Sequence, residues 1–105
     1  MKLNVIERLV LLGMLPAEGS YSNLKLLRIA KESLSFDERE NKILNFRVEA
    51  FGDEQRTVWN EGVEDKEVKI GEIVTQMIVK ALKKLDDEEN LKAEHESLYE
   101  KFIKS

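Results

Sequence analysis

Between Val5 and Leu12 the apolar residues leave no clean polar face. Val5, Ile6, Leu9, Val10, Leu11 and Leu12 cover more than one stripe of a helix, and a helix apolar nearly all round is buried on several sides. In a small chain that predicts either a central helix or one shared with an oligomer partner. Asn4-Val5-Ile6-Glu7 has the form of a capping box, and Gly13 is a natural stop. Pro16 and Gly19 mark Met14 to Ser20 as a loop. A second helix follows, with Ser22 as its cap. Leu24, Leu27, Ala30 and Leu34 form one face, which Leu26 and Ile29 widen.

Ser35-Phe36-Asp37-Glu38 repeats the capping-box pattern and opens a short helical turn ending near Asn41. The period then changes from helical to alternating. Leu44, Phe46, Val48 and Ala50 alternate with Asn45, Arg47 and Glu49, which predicts a half-buried strand. Gly52-Asp53 punctuates it, and Arg56 to Trp59 reads as the return strand of a hairpin. Asn60 to Asp65 is a polar loop, and Glu67 to Ile70 is a candidate third strand. The widest amphipathic stripe comes next, from Ile73 through Val74, Met77, Ile78, Ala81 and Leu82 to Leu85. Asp86-Asp87 ends it. Leu91, His95, Leu98, Tyr99 and Phe102 restart the period, so an antiparallel αα-hairpin is expected. The assembled prediction is one α+β domain over residues 1–105: two N-terminal helices, a small antiparallel sheet, and a C-terminal αα-hairpin.

Composition narrows the chemistry. Hydrophobic residues make up 42% of the 105, enough for one core. The charged fraction of 36% with a net charge of -4 predicts a well-solvated, mildly acidic surface. No cysteine is present, which removes disulfides, thiolate metal sites and a cysteine nucleophile together. Glu7 and Arg8 interrupt the apolar run near the start, and no clean cleavage site follows, so it does not read as a secretion signal. No apolar run approaches the roughly 20 residues needed to span a bilayer. The expectation is a cytoplasmic protein without membrane contact.

The search for catalytic machinery finds little. His95 is the only histidine, and its neighbours Glu94 and Glu96 point in different directions on a helix, so no metal site is expected. The serines lack a nucleophile-elbow context. The five glycines are isolated, so no phosphate-cradling loop exists, and no cofactor is implied. The expectation is a protein that is not an enzyme.

Binding residues are easier to nominate. Val5, Leu9 and Leu12 with Trp59 are the candidate interface, because α-helical apolar surface in excess and a tryptophan are both typical of interaction hot spots. Tyr21 is a candidate ligand contact and, with Trp59, would line a pocket between sheet and helices, the basis of a second reading as a small-ligand or nucleotide-binding protein. Lys80, Lys83 and Lys84 are candidate anion contacts. They are the basis of a lesser reading as a nucleic-acid accessory protein, which the acidic balance of the chain weighs against.

The chain resembles a group of small bacteriophage- and prophage-encoded proteins of no assigned activity. The residues that carry the resemblance are Glu7-Arg8-Leu9, Leu15-Pro16 with Gly19, Leu34-Ser35-Phe36, Trp59, Ile70-Gly71-Glu72, Ala81-Leu82 with Leu85, and Leu98-Tyr99-Glu100-Lys101-Phe102. The resemblance implies an accessory factor in a host cell that binds a host or phage macromolecule. Together with the first helix, it leads to the expectation of protein–protein interaction, including with a second copy of the chain.

Overall fold

A computed structural model describes residues 1–104. A short strand β1 (Lys2–Leu3) leads into α1 (Val5–Met14), followed by α2 (Tyr21–Leu34) and α3 (Glu38–Leu44). The strands β2 (Arg47–Phe51) and β3 (Glu54–Val58) form a hairpin, and β4 (Lys66–Glu67) follows it. Helix α4 (Glu72–Asp87) leads to a 3₁₀ turn (Ala93–His95), a single α-turn α5 (Glu96–Tyr99) and a π-type turn (Glu100–Lys104). The architecture is α+β with a C-terminal helical hairpin.

The first helix takes a central position, as one of its two expected placements requires. Helix α1 packs against α2, α4 and the 3₁₀ turn. Around it Leu3, Leu11, Leu27, Leu34, Ile78, Leu82 and Leu98 form one buried core. Each fully buried leucine contributes about 1.5–3 kcal/mol through removal from water. The buried core therefore takes residues from α1, α2, α4 and α5, while Leu44 of α3 is buried outside this cluster.

Local chemistry explains the element ends, and corrects several expectations. The capping box of α1 is present: Glu7 N–H donates to Asn4 Oδ1 at 2.8 Å, and Asn4 N–H donates to Glu7 Oε1 at 2.9 Å. Gly13 does not stop the helix. Leu15 does, because it precedes Pro16 and is driven to an extended conformation (ψ 135°). Helix α2 is capped by Ser20 and not by Ser22. The box at the start of α3 uses Asp37 and Glu40, two residues later than the pattern that begins at Ser35. Ser35 ends α2 instead, its hydroxyl donating to the Lys31 carbonyl at 2.7 Å. Asn45 closes α3 in the left-handed conformation that asparagine tolerates.

The sheet differs more. The third strand does not join the hairpin. It pairs antiparallel with β1, Lys2 opposite Glu67 and Leu3 opposite Lys66. The hairpin stands alone, with Phe51 opposite Glu54 around a two-residue Gly52-Asp53 turn. Gly52 supplies the positive φ (66°) that a tight hairpin turn needs at its first central position. Strand β2 is exposed along its whole length, so only Leu44 and Phe46 of the predicted inward row are covered. The C-terminal segment is likewise less regular than the predicted helix, since it winds tight at Ala93 and loose from Glu100.

Candidate functional site

Two charged residues lie at the centre of the fold. Arg8 is on α1 and wholly buried. Its guanidinium grips the Glu40 carboxylate with both terminal nitrogens, at 2.6 and 3.1 Å. Nε donates to the Leu34 carbonyl at 3.0 Å and Nη2 to the Ser35 carbonyl at 2.6 Å. Those carbonyls end α2, where the helix leaves acceptors unpaired and a cation is favoured. Glu40 lies in the first turn of α3, where an anion is favoured. One side chain thus fixes α1 against the corner between α2 and α3. The hydrogen bonds from Arg8 hold the Glu40 carboxyl below the usual carboxylate range, against the opposing effect of burial.

Glu7 performs a similar task on the other side. Burial raises its pKa, but the hydrogen bonds from Lys101, the Asn4 backbone and Ser97 outweigh that and leave it lowered. Lys101 Nζ reaches Glu7 Oε1 at 2.8 Å and the Lys2 carbonyl at 2.9 Å. Glu7 Oε2 is buried and accepts no hydrogen bond of normal geometry among the described residues.

From the ion pair an aromatic series runs outward to the surface. The Phe36 ring lies 4.0 Å from the Arg8 guanidinium carbon. Phe36 meets Phe46 edge-on at 5.3 Å, and Phe46 meets Trp59 at 5.9 Å. These separations suit quadrupole-driven aromatic packing. Trp59 is also held through its neighbour, because Asn60 N–H donates to the Leu44 carbonyl at 2.7 Å. The tryptophan is therefore positioned by the core while its own ring is half-buried.

Trp59 forms one wall of a groove of roughly 440 Å³ on α1. Ile6, Leu9, Val10, Gly13 and Met14 provide the floor, and Lys92, Glu94 and His95 the opposite wall. Ile6, Val10 and Gly13 are spaced at i, i+4 and i+7, so they lie along one side of the helix for two turns, about 10.5 Å. Gly13 leaves a notch there: nothing lies within 4 Å of where a Cβ would stand. His95 is buried and accepts the Lys92 N–H on Nδ1 at 2.9 Å, which closes the turn and leaves Nε2 as the donor of the neutral ring. An apolar floor between a rigid tryptophan and a charged rim can hold apolar side chains of a partner. It presents no paired nucleophile and base.

The structure brings together only part of the predicted site. Leu9 and Trp59 meet in the groove. Leu12 packs on the core and Val5 lies half-buried outside the groove. Tyr21 is 85% exposed at the start of α2 and does not line the groove with Trp59. Lys80, Lys83 and Lys84 share an exposed shallow face of α4 with Gln76, Val79 and Asp87, far from any α1 residue in sequence. Sequence reasoning passed over Ile6, Val10, Gly13 and Met14 as interface residues. It also placed Arg8 and Glu40 nowhere, although a capping glutamate at Glu40 was open to be noticed.

Among the described residues no cluster of three or more histidine, aspartate or glutamate side chains could hold a metal ion, and no helix is long and apolar enough to cross a membrane. In comparison with known proteins, the chain matches no family model, no curated protein and no solved structure.

Proposed function

We propose that this chain is a non-enzymatic accessory protein of the bacteriophage type, acting in the host cytoplasm by holding a protein partner in the α1 groove. The observation that carries the reading is the groove itself. The rest of α1 is buried or half-buried, yet Ile6 and Gly13 stay exposed beside a tryptophan that the core holds in place. The occupant that fits is the apolar face of a partner helix. The trough follows the α1 axis for two turns, and a missing Cβ at its far end lets a second backbone come close. A helix interior disfavours glycine by about 0.5–1 kcal/mol relative to alanine, and no contact within the chain requires it at position 13. The sequence resemblance adds the phage context.

The test is capture from a host lysate with the native chain, a Gly13→Leu variant that fills the notch, and a Trp59→Ala variant that removes the wall. A specific protein retained by the native chain and lost from both variants is expected. The bound partner should also move the emission of Trp59, the only tryptophan, to shorter wavelength. Retention of the same protein by all three chains would overturn the assignment to this groove.

A further inference from the structure

Among the described residues, the β2–β3 hairpin is the one element that the body of the chain leaves uncovered. All of β2 is exposed, and in β3 only Val58 is half-buried. An isolated two-stranded hairpin is marginal in water. Its two faces also differ. The pairing places Arg47, Glu49 and Phe51 on one face with Val58, Arg56 and Glu54. Val48 and Ala50 share the other with Thr57 and Gln55, and that face has no charge. Val48 is 65% exposed on it.

Backbone direction makes the edge specific. Phe51 and Glu54 flank a two-residue turn and so form a hydrogen-bonded pair. Bonded and non-bonded pairs alternate along an antiparallel ladder, so the N–H and C=O groups of Val48 and Ala50 point away from β3. Edge strands are commonly guarded by lysine, proline or a bulge at such positions. Here the outward positions carry valine and alanine.

We propose that β2 pairs antiparallel with β2 of a second copy of this chain, centred on Val48, to give a four-stranded β3-β2-β2-β3 sheet. Charge selects both the occupant and the register. With Val48 opposite Val48, Arg47 of each chain faces Glu49 of the other. Glu49 already stands opposite Arg56 within its hairpin, so charges alternate in sign across the sheet. Centring on Glu49 would set glutamate against glutamate, and centring on Ala50 would set Glu49 against Phe51. Arg47 and Glu49 contact each other within one chain at 3.2 Å, so they exchange into the symmetric pairs without stranding a charge. The edge of β3 offers a similar exchange between Glu54 and Arg56 around Gln55, but it joins glutamines where β2 joins two exposed valines. This surface is separate from the α1 groove, and neither inference rests on the other.

A crosslink reads the register directly. At a hydrogen-bonded antiparallel pair the Cα atoms stand about 5.5 Å apart, within the range a disulfide spans. The chain contains no cysteine, so Val48→Cys introduces the only thiol. Mild oxidation of the full-length Val48→Cys chain is expected to give a disulfide dimer several-fold faster than Gln55→Cys. Arg47→Glu places like charges opposite at two symmetric positions and should slow the crosslink about tenfold. The exchange Arg47→Glu/Glu49→Arg/Arg56→Glu should restore it, the third change keeping residue 49 opposite an unlike charge within its own hairpin. Circular dichroism on each variant confirms that the fold persists, which the exposure of these positions predicts. Equal rates for the two cysteine variants, faster crosslinking at Gln55, or a rate indifferent to Arg47→Glu would each overturn the proposal. All three outcomes leave the groove reading untouched, because that is tested at Gly13 and Trp59.

Discussion

Replacing Arg8 by methionine removes a bidentate ion pair, two hydrogen bonds to helix-terminal carbonyls and a cation stacked on Phe36. What it leaves behind decides the magnitude. The Glu40 side chain is only 9% exposed, and without Arg8 its sole remaining donor in the structure is the Asp37 N–H at 3.1 Å. Breaking a buried pair by deleting one partner costs about 3–5 kcal/mol. A domain of this size has roughly 5–15 kcal/mol in total, so Arg8→Met should lose about a fifth of it or more. The thermal midpoint should fall by at least about 12 °C. Removing both charges is different. Arg8→Met/Glu40→Met strands no buried ion, and its cost should be only about 1–2 kcal/mol, from the lost cap and the unpaired carbonyls. Arg8→Met, Glu40→Met and the double variant form a double-mutant cycle with an expected interaction energy of at least about 2 kcal/mol. Urea unfolding followed by circular dichroism and by Trp59 emission gives the four free energies, and coincidence of the two probes checks that unfolding is two-state. The reasoning is refuted if Arg8→Met costs under about 1 kcal/mol, or if the double variant costs the sum of the singles.

Three further outcomes follow from the same structure. Glu7 and Glu40 both have folded pKa values below the ordinary glutamate value of 4.5, so the unfolded chain binds more protons in acid. Their contribution is fully present above about pH 4.5 and is lost as pH falls through the folded values, so the urea midpoint should decline below that pH. Arg8→Met/Glu40→Met should show a shallower decline, and an equal slope would count against the ion pair. Gly13→Ala should raise the thermal midpoint by a few degrees, because the site is open and its backbone conformation suits any residue; a lower midpoint in a thermal melt would contradict this. Phe46→Ala should shift Trp59 emission to longer wavelength by removing the ring at 5.9 Å that holds it, and an unchanged spectrum would detach Trp59 from the aromatic series.

Periodicity carried most of the helical architecture. Helix α4 matches its stripe from Ile73 to Leu85, because one wide apolar face has only one way to be buried. The alternating run from Leu44 to Ala50 misled for the opposite reason. It straddles two elements: Leu44 ends α3 and Asn45 turns the chain left-handed, so the strand that remains is too short to reach the core. The ion pair was one step away. If α1 is apolar nearly all round and buried on several sides, then Glu7 and Arg8 inside it are buried too, and each must have a partner elsewhere in the chain. Which partner depends on three-dimensional proximity across 32 and 94 residues, and no local pattern contains that. The pairing of β1 with β4 is hidden similarly, since two-residue strands have no period.

Glu7 also sets an order of events during synthesis. Its partner Lys101 lies 94 residues further along. At about 5–20 residues per second, the ribosome takes roughly 5–19 s to supply it. Until then the carboxylate lacks the ammonium that offsets its burial, so the helix at the centre of this fold is made well before it can be closed. A ribosome paused before Lys101 would hold a chain with its caps in place and its hub still open to water.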